Sequence, residues 1–62
     1  MNVIIDVVDG QLRAKRIPES RGKPDYTYVF DGVHANVWVN FTGIEEGEIE
    51  DLAWLTVKAS NR

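Results

Sequence analysis

The sequence predicts a small all-β fold, an antiparallel barrel or strongly curved sheet of four to five strands of SH3-like or OB-like type. Three observations lead there. Asp9-Gly10 and Asp31-Gly32 each stand between runs of alternating apolar and polar residues, and Asp-Gly supplies the two positive-φ positions that a type I′ hairpin turn demands. The flanking runs are rich in β-branched and aromatic residues, which suit a pleated, half-buried surface. A chain of 62 residues buries only about 60% of its unfolded surface, and closing the sheet removes unpaired edges that would otherwise recruit other chains. Residues 1–62 are expected to form one domain.

The first strand runs from Asn2 to Val8, with Val3, Ile5 and Val7 on one face and Asn2, Ile4, Asp6 and Val8 on the other. After the Asp9-Gly10 turn, Gln11–Ile17 returns antiparallel, Leu12 and Ala14 facing inward and Arg13 and Lys15 outward. Pro18–Asp25 holds two prolines and a glycine and reads as a loop. Tyr26–Phe30 is the third strand, with Tyr26, Tyr28 and Phe30 on one face and Thr27 and Val29 on the other. Residues 33–41 return from the Asp31-Gly32 turn as the fourth strand: Val37, Val39 and Phe41 share a face and Trp38 takes the opposite one, so both faces of the sheet carry apolar residues. Residues 42–48, with Gly43 and Gly47, read as a second loop. The last element, about 48–58, fits two patterns. As a strand it aligns Ala53, Leu55 and Val57; as a helix it groups Ile49, Leu52, Ala53 and Thr56, with acids at its start where the helix dipole favours them. The β-branched pair Thr56-Val57 favours the strand; an α+β fold with a helical last element is the alternative.

Composition narrows the setting. There is no cysteine, which removes disulfides and thiolate metal sites and favours a reducing, cytoplasmic environment. No apolar run approaches the roughly 20 residues of a membrane span, and the start has no signal-peptide pattern, so no membrane partner is expected. A net charge of −3 disfavours a general coat for duplex DNA, whose non-specific affinity comes from phosphate neutralisation.

The charges are sorted along the chain. Arg13, Lys15, Arg16, Arg21 and Lys23 cluster against the single acid Glu19, whereas Glu45, Glu46, Glu48, Glu50 and Asp51 occupy a later stretch without a base. In so small a domain this implies two opposed electrostatic poles, which govern the partners it meets and how fast. Catalytic chemistry has little footing. The single histidine, His34, could join Ser20 or Ser60 and Asp25 or Asp31 in a triad, but no nucleophile-elbow pattern surrounds either serine. The acidic stretch does not follow the ligand spacing of a calcium loop. We therefore expect a non-enzymatic protein without metal or cofactor.

Arg21-Gly22-Lys23-Pro24 leads directly into Tyr26 and Tyr28, and bases stacked on aromatic rings beside a cationic groove are how sequence-tolerant single-strand binders work. This stretch resembles the basic-loop-then-tyrosine pattern of filamentous-phage single-stranded DNA-binding proteins, which are small OB-like β domains. A single-stranded nucleic-acid binder using Arg13, Lys15, Arg16, Arg21 and Lys23 with Tyr26 and Tyr28 is accordingly one expectation. The expectation set ahead of it is an interaction module whose acidic set, Glu45, Glu46, Glu48, Glu50 and Asp51, contacts a larger protein or nucleoprotein and occludes a groove meant for phosphates. In its small size, absence of a catalytic set and segregated charge the chain is similar in profile to phage-encoded inhibitors, anti-CRISPR proteins among them. A third expectation is a structural or assembly subunit that pairs as a homodimer.

Overall fold

Both Asp-Gly pairs form the tight turns that their residue types dictate. In the computed structural model, which describes residues 1–60, Asp9 and Gly10 have φ of 52° and 75°, and Asp31 and Gly32 have 49° and 79°. These are the two consecutive left-handed residues of a type I′ turn. They close hairpins between β1 (Asn2–Val8) and β2 (Gln11–Ile17), and between β3 (Tyr26–Phe30) and β4 (Val33–Val39). The last pairs before the turns are Val8 with Gln11 and Phe30 with Val33.

The hairpins do not close into a barrel. They lie side by side in an open sheet of order β2-β1-β4-β3, in which β1 and β4 run parallel, from Asn2 beside Asn36 to Ile5 beside Val39. The sheet is thus mixed and open, which corrects the expectation of an antiparallel barrel. The physical reason is the distribution of apolar residues: β1 and β4 are the strands with apolar side chains on both faces, and placing them centrally buries both faces. The cation-bearing β2 and the short β3 then take the edges.

The fifth element is a helix, α1 (Glu46–Ser60), so the fold is α+β and the all-β expectation is corrected too. Side chains of paired residues share a face. On one face Val3, Ile5, Val37 and Ala35 are fully buried, beneath a stripe of Ile49, Ala53 and Val57, each also at 0% exposure. That four-residue spacing is the inner line of a helix. Leu55, which the strand pattern aligned with Ala53 and Val57, is 60% exposed. The β-branched Thr56 is accommodated because its Oγ1 donates to the Leu52 carbonyl at 2.9 Å. The helix also begins earlier than the last element was expected to, within the stretch read as loop: the Glu45 carbonyl accepts from the N–H groups of Glu48 and Ile49 at 3.1 and 3.2 Å. β4 stops at Val39, short of Phe41, which is partly buried and packs against the core.

The opposite face has a different cover. Ile4 and Trp38 are cross-strand neighbours there, each only 7% exposed. β2 ends beside Asn2 at one edge and β3 begins beside Val37 at the other, so Pro18–Asp25 must cross the sheet on the face that α1 leaves free. Asp25 fastens the far end of this strap. Its N–H donates to the Val37 carbonyl at 2.9 Å, and its Oδ2 accepts from the Val39 N–H at 2.8 Å.

Two predictions test this architecture. A valine at Gly10 or Gly32 is forced into a left-handed backbone and should cost about 1–2 kcal/mol in thermal or urea unfolding; a variant as stable as the wild type would refute the turn. Ile49→Ala should cost about 2–5 kcal/mol while Leu55→Ala stays within about 0.5 kcal/mol, the reverse of what a final strand with Leu55 inward requires.

Candidate functional site

The five acidic residues are all exposed around the start of α1. Glu46 and Glu48 lie in its first turn, where carboxylates meet the unpaired N–H groups and positive end of the helix dipole, so the same residues that charge the surface also hold the helix start. None of their carboxylates accepts any of the side-chain hydrogen bonds found among the described residues. Their charge is free to act outward.

Glu46 and Glu50, one turn apart, lie on the flank of α1 toward β3. The phenol of Tyr28 reports it: burial pushes its pKa above the ordinary value of 10.0, and the negative charges of Glu46 and Glu50, then Tyr26, push it further. Among the described residues the Tyr28 hydroxyl, which is buried, has no hydrogen-bond partner.

Next to this flank, Val29, Phe30 and Asp31 face Glu50, Asp51 and Trp54 across an open notch of about 340 Å³. Its base is aromatic, with the Phe30 and Trp54 rings 5.1 Å apart at a 38° tilt, and the Lys58 Nζ lies 5.5 Å from the Trp54 ring centre. The Trp54 ring face is thus already engaged by an internal cation, and what the notch offers a further cation is the charge of its three carboxylates, Asp31, Glu50 and Asp51. Asp31 and Trp54 were not among the residues expected at the site, since Asp31 is read as a turn residue and Trp54 as part of a strand. The signal that could have found Trp54 is its position four residues after Glu50, on the same flank if the segment is helical.

The basic residues lie elsewhere. Arg13 and Lys15 share the strap-covered face, opposite Asp6 and Ile4, and Arg21 and Lys23 are exposed in the strap itself. Arg16, paired with Val3, has the helix-side orientation but is exposed at the β2 edge. Tyr26 and Tyr28 are on the α1 side, their rings stacked 6.1 Å apart and packed against the core. The sheet therefore separates Arg13, Lys15, Arg21 and Lys23 from the tyrosines grouped with them. Among the described residues none of the triad candidates hydrogen-bonds another through its side chain: Ser20 Oγ donates to the Gly22 carbonyl, Ser60 Oγ to the Val57 carbonyl, and His34 Nε2 lies 3.2 Å from Asn36 Oδ1. Among the described residues no group of three or more His, Asp or Glu is placed to hold a metal ion, and no helix is long and apolar enough to cross a membrane.

Comparison with protein-family models, curated proteins and solved structures finds no match for this chain.

The raised pKa of Tyr28 gives a signed prediction. Its proton is held more tightly in the folded state, so this contribution is complete below the ordinary value of 10.0 and is lost as pH rises through the higher folded value. The urea midpoint should fall at alkaline pH, and Tyr28→Phe should blunt that fall while leaving neutral-pH stability equal or slightly higher, because the lost hydroxyl has no partner. An unchanged alkaline profile in the variant would assign the fall to other groups.

Proposed function

We propose that the protein is a non-enzymatic interaction module that uses the acidic start of α1, Glu45, Glu46, Glu48, Glu50 and Asp51, to engage a cationic surface on a larger protein or nucleoprotein. The observation that carries this reading is the display of exposed carboxylates, free of side-chain hydrogen bonds, around the first turns of a helix whose inner line is fully buried. A rigid support holds like charges together without the ordering cost that a flexible acidic tail incurs on binding. The cations sit mainly on the other side of the sheet, so the acidic pole meets a partner with little internal competition. The finer form of the proposal is inhibition: carboxylates seated in a groove built for phosphates exclude nucleic acid from it, as a phage-type, anti-CRISPR-like inhibitor would, in the cytoplasm of a host.

The first-turn acids Glu46 and Glu48 also stabilise the helix, by about 0.3–1 kcal/mol each, so Glu50→Lys with Asp51→Lys, beyond that turn, is the cleaner test. Capture of a partner from host lysate by immobilised protein should be lost in this double variant with little change in melting temperature, and should weaken with salt. Arg21→Glu with Lys23→Glu should leave capture intact. Capture lost only in that basic variant, together with salt-sensitive gel shifts on single-stranded DNA, would overturn the proposal in favour of nucleic-acid binding.

A further inference from the structure

The two edges of the sheet are chemically unequal. An edge strand presents unpaired N–H and C=O groups, and charged side chains along it, above all cations, deter pairing by other chains. β2 carries Arg13, Lys15 and Arg16 along its length. β3, sequence YTYVF, has no charge, proline or glycine, and Val29, one residue from its C-terminal end, is 64% exposed. No described strand pairs with its outer side. At its C-terminal end, through Val29 and Phe30, it runs directly into the notch bounded by Asp31, Glu50, Asp51 and Trp54.

We infer that β3 is a docking edge for an extended, basic segment of another protein, which adds to the sheet as a fifth strand and places an arginine or lysine in the notch. Main-chain hydrogen bonds along β3 supply the strand addition. The carboxylates of Asp31, Glu50 and Asp51 supply selection for a cation at the position reached from the end of the added strand, beside the Trp54 ring over which Lys58 already lies. A second copy of β3 suits the edge less well: antiparallel self-pairing about a twofold axis centred on Tyr28 would bring Asp25 of one chain toward Asp31 of the other, acid against acid. Docking of the β2 edge of a second copy would give head-to-tail, non-closing association, which the experiment below separates. The inference rests on the acidic-surface reading above and adds to it the partner's backbone conformation and the residue that it must present.

The test is amide-resolved NMR of the intact protein titrated with a short peptide of alternating valine and arginine. Three comparison peptides are used: valine with glutamate, the valine-arginine peptide with alternate backbone nitrogens methylated on one edge, and the same peptide methylated on the other edge. The arginine peptide should shift the amides of residues 26–31 and 50–54 and leave those of β2 unmoved. Methylation of one of the two edges should abolish binding. The glutamate peptide should bind about tenfold more weakly or not at all, as should the arginine peptide to Glu50→Gln with Asp51→Asn. Val29→Lys, at an exposed site that the fold tolerates, should also abolish binding. If both methylated peptides bind as well as the parent while the carboxylate variant fails, the acidic surface stands and strand addition is overturned. If binding ignores the carboxylates, the acidic reading itself falls. Concentration-dependent broadening of the β3 amides without peptide would assign the edge to a second copy and overturn the proposed occupant.

Discussion

The parallel pairing of β1 with β4 is the constraint on which the rest of the molecule depends. Two antiparallel hairpins joined along these strands leave β2 at one edge and β3 at the other, so the chain between them has to pass over a face of the sheet. That face cannot also receive the helix. The two covers are of unequal quality. Beneath α1, Val3, Ile5 and Val37 reach 0% exposure, whereas Ile4 and Trp38 under the strap retain 7% each and the indole N–H of Trp38 finds no partner among the described residues. An unpartnered buried donor carries a penalty of about 1–3 kcal/mol, and this one lies where the covering segment is rich in Pro, Gly and charge. The strap side is therefore the less tightly built of the two faces.

The same topology distributes the charge. Arg13 and Lys15 face the strap because of their register with β1, and Arg21 and Lys23 belong to the strap, so four of the five clustered cations gather on one side. The carboxylates of α1 lie on the other. A helix layer packed on a sheet puts these poles at least about 10 Å apart, close to the Debye length of about 8 Å at physiological ionic strength. Each pole then acts on its surroundings nearly independently. A net charge of −3 consequently describes neither face: the molecule carries an anionic helix on one side and a cationic strap on the other.

What was legible in the sequence was what depends on neighbouring residues. The Asp-Gly turns follow from two residue types that tolerate positive φ, and the alternation of Val3 and Ile5, or of Tyr26, Tyr28 and Phe30, assigned their shared face correctly. The parallel register of β1 and β4 has no such local mark, because an antiparallel meander would use the same strands and the same turns. The final element was misjudged for a related reason. Thr56-Val57 carries a strand preference worth a few tenths of a kcal/mol, and the burial of Ile49, Ala53 and Val57 on an open sheet outweighs it. The acidic cluster was legible as an exposed group. Its continuation into Asp31 and Trp54 was not, since residues far apart in sequence meet there only through the packing of Phe30 on Trp54. The tyrosines beside the basic loop suited both a stacking platform and a core stripe, and only the position of α1 distinguishes them.

The length of β3 limits what its uncharged edge can recruit. Short edge strands are themselves a protection, and five residues offer too few main-chain hydrogen bonds, each contributing about 0.5–1.5 kcal/mol net, to outweigh the cost of ordering an arbitrary chain along them. Pairing at this edge needs a supplement. The sheet end provides one in a single place, where Asp31 meets Glu50 and Asp51 beside Trp54; at the other end the Asp25 carboxylate is already engaged by the Val39 N–H. A neutral or acidic strand would gain only the hydrogen bonds, whereas a strand with a cation at its end would gain charge pairing as well. On the proposed reading, a short edge would discriminate by chemistry, using acids of the helix beside it.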